Sequence, residues 1–347
     1  MATAPSPRCW NKALMKRQPP RPGAASPTPF LLISLFLSGA CCLVLEIVGT
    51  RLISPFYGSS IYTWSALITT TMVALAIGYA GGGRRGDRDP HLSIFARLLQ
   101  AASLTVAVIP LLREPVLRAS APLGVKLGAM AAATVLVGPA LLLLSTLGPI
   151  ATRLTATSAS DAGRRSGDAW AVSTLGSVLG AVLAGFVLIP HWPCSRILLA
   201  TAAMLAALGA WGSWLSARRL PLKQLATCTA CLILALRVEI SPHAGILQRA
   251  ESLYGRIEIL ENGPKRYLLV NGTAQSSMET ATGLSESEYD RAIEWIRALR
   301  PDARKVLALG LGAGLLPTAL ERAGLTVDAV EIDPEIVRIA RDFFGYA

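Results

Sequence analysis

Apolar residues in this chain run in long unbroken blocks as far as about residue 240, and in short, alternating runs beyond it. A bilayer core takes about 20 apolar residues per helix. Blocks of that kind lie at 30–50, 62–83, 92–112, 124–149, 168–190 and 196–216, which predicts six membrane spans. A seventh block, 222–238 (LKQLATCTACLILALRV), is shorter and broken by Gln and Thr, and fits a tilted, interfacial, re-entrant or true span. Gly176, Gly180 and Gly185 in the fifth block are placed to let helices approach closely in lipid. Residues 1–29 hold Arg8, Lys12, Lys16, Arg17 and Arg21 among many prolines, a polar, broken stretch expected to be a disordered tail. The apolar block that follows outlasts a signal-peptide core and lacks a cleavage-site pattern, so it reads as an uncleaved anchor.

After about Ile240 charges and turn residues return, and a soluble region is expected. Residues 250–283 read as a β-hairpin region: strands Arg256–Leu260 and Arg266–Val270 joined by a turn at Asn262–Pro264. In residues 284–347, Ser285 is placed as a helix N-cap with Glu288 as its capping-box partner, and Tyr289, Ile293 and Ile296 fall on one face. KVLALG then reads as a buried strand, AGLLPTALERAG as a helix stopped by Gly324, TVDAVEID as a second strand and PEIVRIARDFF as a helix opened by Pro334.

Composition sharpens the division. The 347 residues are 52% hydrophobic and carry a formal net charge of +11. The first figure exceeds what a soluble domain needs for its core. The second is spread over short basic clusters between apolar blocks, as in loops facing anionic lipid, so membrane lipid rather than nucleic acid is the expected partner. The tail, the loop with Arg84, Arg85 and Arg88, and the loop with Arg153, Arg164 and Arg165 are the richest in positive charge. They place the N-terminus in the cytoplasm and make the chain a multi-pass inner-membrane protein. The opposite loops are poorer, with Arg51, then Arg113, Arg118 and Lys126, then Arg196. A spanning seventh block would leave everything after it outside, where nucleotide-like ligands are scarce; a non-spanning or re-entrant path for it removes that difficulty. The six cysteines form no zinc-like or disulfide-like framework, and the CxxC of Cys228 and Cys231 lies inside an apolar block, where small packing residues are expected. Glu46 lies within the first block, where an ionisable group is costly unless paired or in a wet cavity. It fits a proton or amine path, or a pair with Arg51. His191, beside Trp192 and Pro193, reads as interfacial.

One short motif carries chemistry. Strand, Gly310-Leu311-Gly312-Ala313-Gly314, helix, strand and Glu331 follow in order. The glycines let the backbone turn tightly and approach a ligand at a helix N-terminus, and an acidic residue about 20 positions on can accept hydrogen bonds from both ribose hydroxyls. Glu331 is the first choice for that role; Asp333 is a second, or else the cap of the helix that begins at Pro334. Both NAD-type and S-adenosyl ligands fit. Leu315 and Leu316 after Gly314 depart from the full dinucleotide fingerprint and tilt the motif toward an S-adenosyl ligand.

The segments SLYGRIEILE, YLLVNGTAQSS, SESEY, VLALGLGAG and VEIDPEIVRIARDFF, in that order and spacing, resemble the spermidine synthase (polyamine aminopropyltransferase) family. The preceding FLSGACCLVLEIVGTRLISPFYGSSIYTWSALI and AVSTLGSVLGAVLAGFVLIP are similar to the membrane region of its transmembrane members. The likeness implies transfer of an aminopropyl group from decarboxylated S-adenosylmethionine, as co-substrate, to a polyamine such as putrescine, with no metal. It assigns Gln275 and Glu331 to the nucleoside and Tyr289 to the amine; Gly310, Gly312, Gly314 and Asp333 join the nucleoside set from the motif itself, and the Asp290 carboxylate is read either as an attraction for a cationic amine or as part of a solvated helix face. Two positions depart from the pattern: Asp290 stands where the family has His, and Ala313 where its glycine turn carries an amine-holding Asp. The family's catalytic Asp is expected downstream of Ala347, so the chain is expected to be C-terminally truncated and impaired. The expected fold class is an α-helical membrane bundle followed by a small β-hairpin region and an incomplete α/β Rossmann-like domain of the S-adenosylmethionine type, with a homo-oligomer as a further expectation. The rival functions are S-adenosylmethionine-dependent methyl transfer and a transporter-like membrane module with a nucleoside- or polyamine-sensing end.

Overall fold

The computed structural model describes residues 28–156, 158, 161–217, 222, 226, 229, 230, 233, 245–270, 273–287, 295 and 298–347. The basic tail and the CxxC of Cys228 and Cys231 lie outside these residues, as does all but five positions of the seventh apolar block. Five stretches are long and apolar enough to cross a membrane: Thr28–Tyr57, Ile61–Arg88, Leu92–Leu136, Ala162–His191 and Cys194–Ser216. The third has 45 residues, about 67 Å if straight against a core of about 30 Å, and it does not run straight. Helix α3 (Leu92–Ser120) ends in a 3-10 turn, and Gly124 at φ 74° reverses the chain. The return limb is a broken rod of α4 (Gly124–Leu136), α5 (Gly138–Ser145) and α6 (Leu147–Thr155), interrupted at Gly138-Pro139, where proline cannot donate to the helical ladder. That limb follows α2 (Ile61–Arg88) along its length. Thr70 meets Thr134, Ser145 Oγ donates to the carbonyl of Ala74, and Arg153 pairs with Asp87. The limb covers the fourth predicted block, 124–149, whose helical pieces fall partly within the third long apolar stretch, so five such stretches stand where the hydropathy blocks predict six spans.

Small residues set the helix spacing. Helix α1 (Thr28–Tyr57) lies against α7 (Ala162–Leu183), and a Cβ added to Gly176 or Gly180 would come within 1.9 or 2.4 Å of the carbonyl oxygens of Phe36 or Ala40. Ser177 Oγ crosses the same seam to the carbonyl of Gly39 at 3.0 Å. Gly185 has nothing within 4 Å and takes no part, because the helix opens into a π turn over Ala184–Leu188 and leaves it on an open side. A second glycine stripe, Gly78, Gly82 and Gly86 of α2, abuts Ser145, Thr146 and Arg153. Helix α8 (Cys194–Ala217) pairs antiparallel with α3: Ser103 Oγ donates to the carbonyl of Ala202 at 2.7 Å, and Gln100 Nε2 to Ser213 Oγ at 3.3 Å. Leu175, Val178, Val182 and Phe186 of the fifth pass, like Ile68, Met72 and Ile77 of α2, are exposed, the surface a lipid-facing helix presents.

The soluble region begins with strands β1 (Ile246–Glu251), β2 (Arg256–Asn262), β3 (Lys265–Val270) and β4 (Thr273–Glu279), one antiparallel sheet in that order. The expected hairpin is its middle pair, turning at Gly263; β1 and β4 extend it to four strands. A parallel pair follows, β5 (Lys305–Leu309) and β6 (Thr326–Val330), with α9 (Leu315–Arg322) between them in sequence and α10 (Pro334–Phe344) after. Ile339 and Phe344 of α10 join Ile257, Ile259, Leu268 and Met278 of the sheet with Ala313 and Leu315 in one apolar core. Strand β5 was expected to be buried and is not. Leu307 and Leu309, with Val330 beside them, are exposed because no described element covers that face of the pair.

The sheet touches one end of the bundle. Arg51, near the carboxyl end of α1, donates to the carbonyls of Ser252 at 3.4 Å and Leu253 at 2.5 Å. It therefore does not make the Glu46 pair that its spacing suggests. Trp211, near the end of α8, stacks edge-on at 5.0 Å against Phe30 at the start of α1. The last described turn of the bundle and the sheet thus lie at opposite ends of α1.

Candidate functional site

The glycine turn is built by the parallel pair. The N–H of Gly310 extends the ladder to the carbonyl of Val330 at 2.8 Å, and the chain then leaves the strand through Gly310, Gly312 and Gly314 at φ 95°, 57° and 75°. These are left-handed conformations that a side chain rarely adopts. At Gly314, the residue before α9, space also demands glycine: an added Cβ would lie 2.7 Å from the Tyr346 ring.

Glu331 follows the carboxyl end of β6, and its carboxylate clasps the turn. Oε2 accepts from the backbone N–H of Leu311 at 2.8 Å, and Oε1 from that of Asp333 at 3.0 Å. An ionised carboxylate has about four acceptor positions, so both oxygens retain capacity for hydroxyl donors. Asp333 is 2% exposed and caps α10, its Oδ1 accepting from the N–H of Glu335 at 3.0 Å. Of its two expected roles, capping is the one these contacts display.

Ser276, the neighbour of Gln275, meets the turn from the antiparallel sheet. The β3–β4 register slips between Leu268/Ser276 and Leu269/Ala274, leaving Gln275 as the extra, exposed residue of a bulge; bulges re-aim side chains beside sites. Ser276, not identified in the sequence, accepts at its Oγ from the N–H of Ala313 at 3.2 Å. It ties the sheet to the turn. Tyr346 was also missed; its ring covers Gly314, and its N–H donates to the carbonyl of Ala340 at 3.1 Å. Neither residue had a sequence signal, since each contact joins segments distant in the chain or lies beyond a helix end. Tyr289 and Asp290 lie outside the described residues, as does Glu288. Ser285 is described, and its Oγ accepts from the N–H of Ser287 at 3.1 Å.

Gly310, Gly312, Gly314 and Glu331 thus gather at the carboxyl ends of the parallel pair, and Ser276 of the antiparallel sheet meets them through Ala313, with Gln275 its exposed neighbour in the chain. The N–H groups of Gly310, Leu311, Ala313, Gly314 and Asp333 are engaged within the protein, so the Glu331 carboxylate, with acceptor capacity to spare, is the group that suits a hydroxyl-bearing ligand at the turn. No family model, no curated protein and no solved structure matches the chain.

Proposed function

We propose that the protein is a membrane-embedded, spermidine-synthase-like transferase whose Rossmann-like end binds decarboxylated S-adenosylmethionine and passes its aminopropyl group to a polyamine such as putrescine. The observation that carries this reading is the Glu331 carboxylate, held at the glycine turn by the N–H groups of Leu311 and Asp333. So fixed, it presents acceptors to the two ribose hydroxyls while the glycines admit the nucleoside backbone. Gln275 on its bulge reaches the nucleoside from the other side, and Tyr289 and Asp290 serve the amine. In the transfer, the amine nitrogen attacks the methylene carbon next to the sulfonium. A C–N bond forms, the C–S bond breaks with its electron pair going to sulfur, methylthioadenosine leaves, and the ammonium product gives its proton to a base.

The co-substrate is cytoplasmic, so the reaction requires the sheet, and with it the carboxyl end of α1, on the cytoplasmic side. Positive charge favours the other end there: Arg84, Arg85, Arg88, Arg153, Arg164 and Arg165 lie at the amino end of α1's axis, against Arg51, Arg113, Arg118, Lys126 and Arg196.

The test is methylthioadenosine release by the full chain in nanodiscs given decarboxylated S-adenosylmethionine and putrescine. Release that falls about 100-fold in Glu331→Ala, the value of two charge-assisted hydrogen bonds at about 1.5 kcal/mol each, supports the transfer. S-adenosylhomocysteine from unmodified S-adenosylmethionine would point to methyl transfer instead, and absence of both products would overturn the enzymatic reading.

A further inference from the structure

A cavity of about 260 Å³ lies inside the helical bundle, away from the glycine turn, and Glu46 is the acidic residue in its wall. It is lined by α1 (Leu35, Ser38, Cys42, Glu46), α2 (Thr71, Met72, Leu75, Tyr79), the return limb (Leu144, Ser145, Gly148) and α7 (Trp170, Ser173, Ser177), and opens to the outer face of the bundle beside the exposed Met72. Glu46 stands roughly 5 Å past the midpoint of the 30-residue α1, at about 1.5 Å per residue, which puts it near the middle of the bilayer. A carboxylate there is costly unless a cation or water meets it. Arg51 is committed to the Ser252 and Leu253 carbonyls, so the charge is not answered from within its own helix.

The rest of the lining is suited to an organic cation. Tyr79 and Trp170 meet edge to face, centroids 4.4 Å apart and planes at 88°, presenting aromatic surface of the kind that attracts ammonium groups. The hydroxyls of Ser38, Ser145 and Ser177 each donate to a backbone carbonyl, which leaves their oxygens lone pairs to accept with, and among the described residues Thr71 is the one side chain that hydrogen-bonds the Glu46 carboxylate. An ammonium has three donors and no acceptor, which matches a site made of a carboxylate, hydroxyl oxygens and ring faces. Leu35, Met72, Leu75 and Leu144 supply an apolar wall for a short methylene chain. A lone carboxylate among hydroxyls is a poor set for a divalent metal, and no metal-ligand cluster occurs among the described residues.

We infer that this cavity is an intramembrane binding site for a primary alkylammonium ion, with the charged nitrogen at Glu46 and the chain along Leu35, Leu75 and Leu144. The site is separate from the nucleoside site and does not rest on the transferase reading.

The test measures tritiated n-butylamine on the full chain by scintillation proximity. Nanodiscs of phosphatidylglycerol alone contain no lipid ammonium, so a free amine is distinguished from a headgroup, and empty nanodiscs give the background. Expected are saturable binding, displacement by unlabelled n-butylamine, and at least 30-fold weaker displacement by the neutral isostere n-butanol. Glu46→Gln should weaken binding at least tenfold and Glu46→Asp less, while Glu331→Ala leaves it unchanged. The n-butanol comparison uses the unmodified protein and does not depend on any variant folding. Equal competition by n-butanol, absence of saturable binding, or a Glu46→Gln protein of normal thermal stability and unchanged affinity would each overturn the site.

Discussion

Replacing Gly176 by Ala tests how the bundle is held together. The added Cβ would sit 1.9 Å from the Phe36 carbonyl oxygen and 2.7 Å from its carbon. Carbon–oxygen contacts between helices relax to about 3.3 Å, so α1 and α7 must separate by roughly 1.4 Å. The obstacle is backbone, so no side-chain rotation relieves it, and separation also stretches the Ser177 to Gly39 hydrogen bond at 3.0 Å. Overpacking of this kind costs about 1–3 kcal/mol, against a gain of up to about 1 kcal/mol in helix propensity for Ala over Gly. The net expectation is a loss of about 1–2 kcal/mol. Gly185→Ala is the control: it has nothing within 4 Å and keeps only the propensity gain. The assay is reversible unfolding of both variants in mixed micelles, read by near-ultraviolet circular dichroism. Gly176→Ala at or above the stability of the unmodified protein, or equal shifts for both variants, would refute the packing argument.

Cysteines placed in the N-terminal tail and at Thr282, an exposed turn of the soluble region, should label with an impermeant maleimide from opposite faces of sealed vesicles; labelling from one face contradicts the placement of the sheet at Arg51. Arg51→Ala removes two side-chain bonds to carbonyls and should raise amide exchange at 252–255 with little change in the transmembrane helices, checked by hydrogen–deuterium exchange. Ser276→Ala removes the acceptor for the Ala313 N–H and should weaken nucleoside binding about tenfold, near the value of one lost hydrogen bond, as titration calorimetry would show.

How much was legible in the sequence follows from the range of each interaction. The apolar blocks and the glycine turn declare themselves locally, because length in lipid and positive φ are properties of short stretches. Blocks 92–112 and 124–149 correspond to α3 and the returning limb, and the reversal between them rests on Gly124. The hairpin turn at Asn262–Pro264 was equally local. Strands β1 and β4 were not: ILQRAE and TAQSSME are too polar to signal a strand, and they form because β2 and β3 offer paired edges. The Gly176 and Gly180 contacts were legible from spacing, but Gly185 has the same local signal and fails because its neighbourhood is set by the π turn. Ser276, Tyr346 and the cavity around Glu46 depend on contacts between distant segments. Nothing in their own windows marks Ser276 or Tyr346, whereas Glu46 stands out as a carboxylate in an apolar block and only the walls around it were hidden.

The most direct measurement is a cycle between ligand and protein at Glu331. Methylthioadenosine and its 2′,3′-dideoxy analogue are titrated into the full chain in nanodiscs, with and without Glu331→Ala. Loss of the hydroxyls should weaken binding about 30- to 100-fold in the unmodified protein and less than about threefold in the variant, where the partner is already gone. Equal losses in both proteins, or no loss in either, would contradict a ribose held by this carboxylate.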